Sequence, residues 1–150
     1  MKKIAVLTSG GDAPGMNPAI RSVVRTAIFY NLEVVGVKHG YQGLINKDFY
    51  PMNRGSVADI IQRGGTVLFS ARCEEFKTKE GRAKAYQNMR EENIDALVVI
   101  GGDGSLHGVQ KINEESDIRA VGIPATIDND LACTDYTIGV DTAMNTILDA

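Results

Sequence analysis

The stretch IPATIDNDLACTDYTIG, from Ile123 to Gly139, sets a hydroxyl, an amide and two carboxylates within five residues: Thr126, Asp128, Asn129 and Asp130. They follow directly on an apolar run of strand character. A carboxylate placed at a strand end can accept a proton from a substrate hydroxyl, and a second can help to position substrate or metal. The same residues read as structure alone make an Asx-rich turn. Two acids at i and i+2 beside a threonine, on a loop at a sheet's carboxyl edge, are better explained by chemistry.

Two glycine-rich turns also follow apolar runs. The first is TSGGDAPGMN, residues 8 to 17. Glycine at Gly11 lets the backbone come close to a ligand, and a helix starting after the turn offers free N–H groups and partial positive charge. It matches neither a Walker loop nor the GxGxxG spacing, and a tight strand-to-helix turn would also account for it. The second is VVIGGDGSLHG, residues 98 to 108, in which Gly101, Gly102 and Gly104 surround Asp103 and Ser105 opens a helix. Asp103 sits where a phosphate chain and its Mg²⁺ would lie, since one carboxylate plus phosphate oxygens is the usual magnesium arrangement.

The elements that must position these residues follow from periodicity. Four β-branched apolar runs begin at Lys3, Glu33, Ala96 and Ala120, and two of them are nearly continuous, as expected of parallel strands covered on both faces. Helical patterns lie between them. Asn17 reads as the N-cap and Pro18 as the first residue of a helix presenting Ala19, Val23, Ala27 and Tyr30 on one face. Further helices are expected over SVADIIQRGG from Ser56, EGRAKAYQNMREEN and SLHGVQKINEES, with TVLFSAR as a minor strand or extended loop. Strand and helix alternate, so the fold class is α/β: a doubly wound, mostly parallel, Rossmann-like sheet in three αβα layers. Residues 1–139 read as a nucleotide-binding domain with its substrate loop. Residues 140–150 read as the start of a helix leading to a second domain outside this chain.

Bulk properties exclude some functions. At 150 residues the chain suffices for one ordinary domain, and its formal charge of −3 provides no basic field for nucleic acid. Cys73 and Cys133 lack metal or disulfide spacing, no apolar stretch approaches a membrane span, and the N-terminal run is too short for a signal peptide. A cytoplasmic setting is expected. His39 and His107 read as surface or structural residues without a carboxylate or cysteine partner at ligand spacing.

Taken together, TSGGDAPGMN, GTVLFSARCEEF, GGDGS and PATIDND resemble the bacterial ATP-dependent 6-phosphofructokinases, in order and approximate spacing, over essentially the whole chain. GGDGS alone is less specific, since NAD kinases and diacylglycerol kinases share a similar turn. An NAD kinase is disfavoured because that family's second motif has no counterpart here. The resemblance implies transfer of the ATP γ-phosphoryl group to the 1-hydroxyl of fructose 6-phosphate, a step of glycolysis, with Mg²⁺. It implies Asp128 as the proton acceptor, and Thr126, Ile127 and Asp128 as substrate contacts. Asp130 would position substrate and metal, and Arg72 would neutralise developing charge. Gly11, Tyr41, Arg72, Cys73, Gly102, Asp103, Gly104, Ser105 and Gly108 would hold the nucleotide, with Asp103 on the metal. The alternative is a catalytically incomplete nucleotide-binding or regulatory module.

The resemblance also implies a homotetramer with effector sites between subunits, binding ADP or GDP, or phosphoenolpyruvate, at Arg21, Ser22, Val23, Val24, Arg25, Arg54 and Asp59. Family members that use pyrophosphate typically read GGDD and carry a lysine before the threonine. Gly104 and Ala125 here imply ATP. Family members run to about twice this length and supply a Met-Gly-Arg segment, further arginines and a histidine for the sugar phosphate. Two departures stand out. Ala125 replaces a usual glycine, which costs stability if that position needs positive φ, and no glycine occurs near position 133.

Overall fold

A computed structural model describes residues 1–150. Six strands form one sheet: β1 (Lys3–Ser9), β2 (Glu33–Val37), β3 (Phe49–Met52), β4 (Ala96–Gly101), β5 (Arg119–Thr126) and β6 (Ile138–Gly139). Their spatial order is β3-β2-β1-β4-β5-β6, and every neighbouring pair is parallel except β2 with β3. The helices are α1 (Met16–Phe29), α2 (Gly40–Asn46), α3 (Lys79–Glu91), α4 (Asp103–Glu115) and α5 (Val140–Asp149). The doubly wound α/β class expected from the alternation is therefore the observed one. No helix is long and apolar enough to cross a membrane.

Alternation along β1 creates the three layers, because successive side chains point to opposite faces. Ala5 and Leu7 join the core under α2, α3 and α4, together with Leu44, Met89, Leu97 and Ile112. Ile4 and Val6 join the opposite core under α1, with Met16, Ile20, Val24 and Ile100. Complete burial of each leucine or isoleucine contributes about 1.5–3 kcal/mol, and conversion of these two layers to polar residues would remove the sheet's support on both sides.

α1 begins at Met16, one residue before the expected N-cap. Gly15 takes the cap position in the left-handed region (φ 96°), and a Cβ there would lie 2.7 Å from Ile138 Cγ2. Pro18 is still in the first turn, where no intrahelical acceptor awaits its missing N–H. The expected apolar face is also rotated: Ala19 and Ala27 are buried, but Val24 rather than Val23 completes the stripe, and Tyr30 is exposed.

One other expectation fails and two are resolved for physical reasons. The segment from Ser56 forms only a 3₁₀ turn over Gly55–Val57, because Ala58 is extended and Asp59 is left-handed (φ 52°). It anchors itself by burying Val57 and Ile60 rather than by one helical face. TVLFSAR is no strand: Leu68 is buried, while Phe69 is left-handed and half exposed. Ala125 lies in β5, paired with Ile138, and needs no positive φ. Cys133 does adopt φ 66°, so the position lacking a glycine is one whose backbone favours it. Short α2 and the edge strand β3, which holds Pro51, had no periodic signal; proline is tolerated at a sheet edge.

Candidate active site

The order of strands reverses between β1 and β4, the place where open α/β sheets form a crevice beyond their carboxyl ends. Register aligns those ends, with Ser9 opposite Gly101 and Gly101 opposite Pro124. A cavity of about 850 Å³ opens there. Four loops line it. The turn after β1 gives Gly10, Gly11 and Asp12, and the segment before α3 gives Arg72 and Cys73. The turn after β4 gives Gly102, Asp103, Gly104 and Ser105, and the loop after β5 gives Thr126, Ile127, Asp128 and Asp130. Tyr41 and Gly108 complete the expected lining. The carboxylates are accompanied by Arg72, Lys77, Arg82 and Lys111 on the same walls.

The turn after β4 is shaped by close contacts on one side and open space on the other. A Cβ at Gly101 would meet the Ser9 carbonyl at 2.6 Å, and one at Gly102 would touch Thr126 at 3.3 Å. At Gly104, as at Gly11, nothing lies within 4 Å. Gly102 caps α4, whose first turn leaves the N–H groups of Asp103 and Gly104 without intrahelical acceptors. These amides and the helix dipole favour an anion. Gly108 lines the cavity as expected and also has a packing role. A Cβ there would lie 2.4 Å from the Tyr41 hydroxyl, so this glycine admits Tyr41, which donates to the Ser105 carbonyl at 2.6 Å and stacks on Phe76 at 4.1 Å. Burial pushes the Tyr41 phenol well above its ordinary range.

The segment that leads to Arg72 and Cys73 is held over Arg63–Phe69 by residues distant in sequence. Thr8 shares a hydrogen bond of 2.8 Å with the Thr66 hydroxyl and donates to the Phe69 carbonyl at 2.9 Å. The Asn17 amide, instead of capping α1, donates to the Arg63 carbonyl at 2.9 Å and accepts from the Val67 N–H at 2.8 Å. Arg72 is left exposed at the cavity, while burial raises the Cys73 thiol above its usual value. Arg82 forms a fork to Glu115 at 2.7 and 2.9 Å, tying α3 to α4 along the cavity wall.

The loop after β5 presents Asp128 and Asp130 to the cavity. The Asp128 N–H donates to the Thr126 hydroxyl at 3.2 Å. Asp103 also meets His107 Nδ1 at 3.4 Å, one helical turn on. No cluster of three or more His, Cys, Asp or Glu side chains could cage a metal. A magnesium ion would therefore draw on one or two carboxylates, phosphate oxygens and water, and Asp103 beside the open face of Gly104 fits that demand.

The phosphofructokinase family model matches residues 3–150. The chain belongs to the phosphofructokinase family. It is 72% identical over 149 residues to a protein of Halothermothrix orenii named ATP-dependent 6-phosphofructokinase, covering 99% of this chain and 45% of that one. A Staphylococcus carnosus protein of the same name is 66% identical over 151 residues, covering 100% and 47%. The chain thus spans about half the length of the curated relatives it matches. Pichia pastoris phosphofructokinase in the T-state superposes with a TM-score of 0.93 at 40% identity, over 99% of this chain and 18% of that one.

The remaining residues singled out for this phosphofructokinase chain lie apart from the cavity. Arg21 donates to the Val57 carbonyl at 2.5 Å. Arg25 and Arg54 come together at a shallow cleft of about 370 Å³ beside Thr26, Phe29 and Tyr30. Ser22 is exposed and Val23 half-buried, but Val24 is fully buried in the α1 core and offers no side-chain surface to a ligand. Asp59 is exposed at its left-handed turn. Both histidines do have carboxylate partners, contrary to expectation: His107 with Asp103, and His39 Nδ1 with Asp48 at 3.0 Å. Asn129, noted in the sequence but given no role, and Thr137, which was not noted, tie the two ends of the acidic loop together. The only available signal was their place inside the TIDND-to-TIG segment.

Proposed function

We propose that this chain is the nucleotide-binding part of an ATP-dependent 6-phosphofructokinase. In this reading the 1-hydroxyl oxygen of fructose 6-phosphate attacks the γ-phosphorus of ATP. The new O–P bond forms as the bond to the β–γ bridging oxygen breaks, and ADP leaves. Asp128 accepts the hydroxyl proton, Thr126 holds the transferred phosphoryl region and, with Ile127, the sugar, and Asp130 helps to position substrate and metal. Gly11, Gly102 and Gly104 provide room for the phosphates against the α4 N-terminus, and Arg72 stabilises charge on the transferred group. Asp103 would hold the Mg²⁺ that accompanies ATP, and the ion would supply charge neutralisation to the phosphates. The observation that carries the reading is the meeting of both glycine turns and the acidic loop at one cavity.

Open space at Gly104 supports ATP over pyrophosphate as donor. The meeting of Arg25 and Arg54 at one cleft supports an effector site for ADP, GDP or phosphoenolpyruvate, and a homotetramer is proposed from the family resemblance alone. Two free cysteines support a cytoplasmic setting. The alternative reading is a module that binds MgATP without turnover. ADP release from MgATP, measured with and without fructose 6-phosphate on the parent and on Asp128→Ala, separates the two. Sugar-dependent release abolished by the substitution is the expected result. Nucleotide binding with no sugar-dependent release from the protein at its full natural length would refute the kinase.

A further inference from the structure

The acidic loop is closed by a small network of hydrogen bonds among its own residues. Thr137 is 4% exposed, and its hydroxyl donates to the Thr126 carbonyl at 2.7 Å. Its N–H donates to Asn129 Oδ1 at 3.1 Å, and Asn129 Nδ2 donates to the Asp135 carbonyl at 3.1 Å. Asp128 is thus held on both sides, through its own N–H to the Thr126 hydroxyl and through its neighbour Asn129 to Thr137. Asp128 and Asp130 line the cavity, whereas Asn129 between them does not. Its left-handed backbone (φ 50°) sets the middle residue to the far side, a conformation that asparagine adopts more readily than most residues.

We propose that Asn129 and Thr137 are positioning residues, a latch that fixes where the Asp128 carboxylate stands. The inference rests on the reading that Asp128 accepts the substrate proton. The pairing of β5 with β6 beside the latch is only two residues long. The residues from Ile127 to Asn129 are exposed, so packing does little to fix them. Release of Thr137 from the Thr126 carbonyl would let Asp128 shift by about 1 Å without unfolding the sheet. A misplacement of about 1 Å lowers a rate by on the order of a hundredfold. Nucleotide binding depends on the turns after β1 and β4 and should not change.

The test uses the protein at its full natural length, with Thr137→Val, Thr137→Ser, Asn129→Gly and Asp128→Ala. Valine keeps the shape of threonine and removes only the donor; glycine keeps the left-handed backbone of Asn129 and removes the amide. Expected is a fall in kcat on the order of a hundredfold for Thr137→Val, with KM for MgATP unchanged and serine restoring most of the rate. In the Asp128→Ala background Thr137→Val should cause no further loss, because a latch acts only through the carboxylate it holds. Equal loss in both backgrounds, or an unchanged kcat, overturns the proposal. Should Thr137→Val fail to fold, Asn129→Gly carries the same cycle. If Asp128→Ala itself keeps full activity, the proton-acceptor reading fails and the latch fails with it.

Discussion

Replacing Gly104 with alanine sets a gain in stability against a loss of binding. Gly104 is the second residue of α4 and has helical backbone, and its Cβ would meet nothing within 4 Å. Alanine there should stabilise the free protein by about 0.5–1 kcal/mol, since glycine loses more freedom on entering a helix. For a domain of this size that raises the melting temperature by roughly 1–4 °C. If the space is where the ATP phosphates lie, the same methyl group displaces them and weakens binding, here taken as about tenfold, or ~1.4 kcal/mol. At a ligand concentration about 100 times the parent Kd, MgATP stabilises the parent by ~2.7 kcal/mol. The variant, then at only about ten times its own Kd, gains ~1.4 kcal/mol from the same relation. The loss of ~1.3 kcal/mol exceeds the gain, so the order of melting temperatures inverts. Thermal denaturation with and without MgATP reads both halves. A variant that melts higher than the parent under both conditions, by the same margin, would show that the phosphates do not occupy the space beside Gly104.

Gly108→Ala should destabilise by about 1–3 kcal/mol, because the new methyl overlaps the stacked Tyr41 ring; a denaturant midpoint equal to the parent's would refute this packing role. Acid should loosen the contact of α3 with α4. The Arg82 guanidinium, hydrogen-bonded to Glu115, holds that carboxyl below its ordinary value, so the stabilisation is present above about pH 4.3, the unfolded glutamate value, and is lost as pH falls through the lower folded value. The melting-temperature deficit of Glu115→Gln should therefore vanish as the parent is acidified, and a deficit that persists unchanged at pH 3 (roughly one unit below that value) contradicts the assignment.

Local chemistry was legible where one stretch of chain is self-sufficient. β1 and β4 announced themselves as continuous apolar runs because a strand covered on both faces needs apolar residues at every position. α3 and α4 likewise carry their own helical periodicity. The glycine turns and the acidic loop were legible because a tight turn after a strand, or carboxylates left at a strand end, limit the residue types allowed. The segment between β3 and α3 was not. Its shape is set by Thr8 and Asn17, whose side chains satisfy carbonyls 46 to 61 residues away, and such partners leave no periodic mark on either stretch. Asn17 looked like a helix cap for the same reason: the residue type fits both roles, and only the approach of the Arg63–Val67 backbone decides between them.

The sequence by itself determined the alternation of strands and helices, the two phosphate-type turns and the presence of paired acids, since each depends on side chains within a few residues. Only the tertiary structure decided that these meet at one cavity, that Gly108 admits Tyr41, that Val24 is core, and that Thr137 holds the loop on which Asp128 stands. Those outcomes depend on strand order and register, which bring together groups far apart along the chain. The free energy that fixes them comes from burying two apolar layers, and no short motif records that.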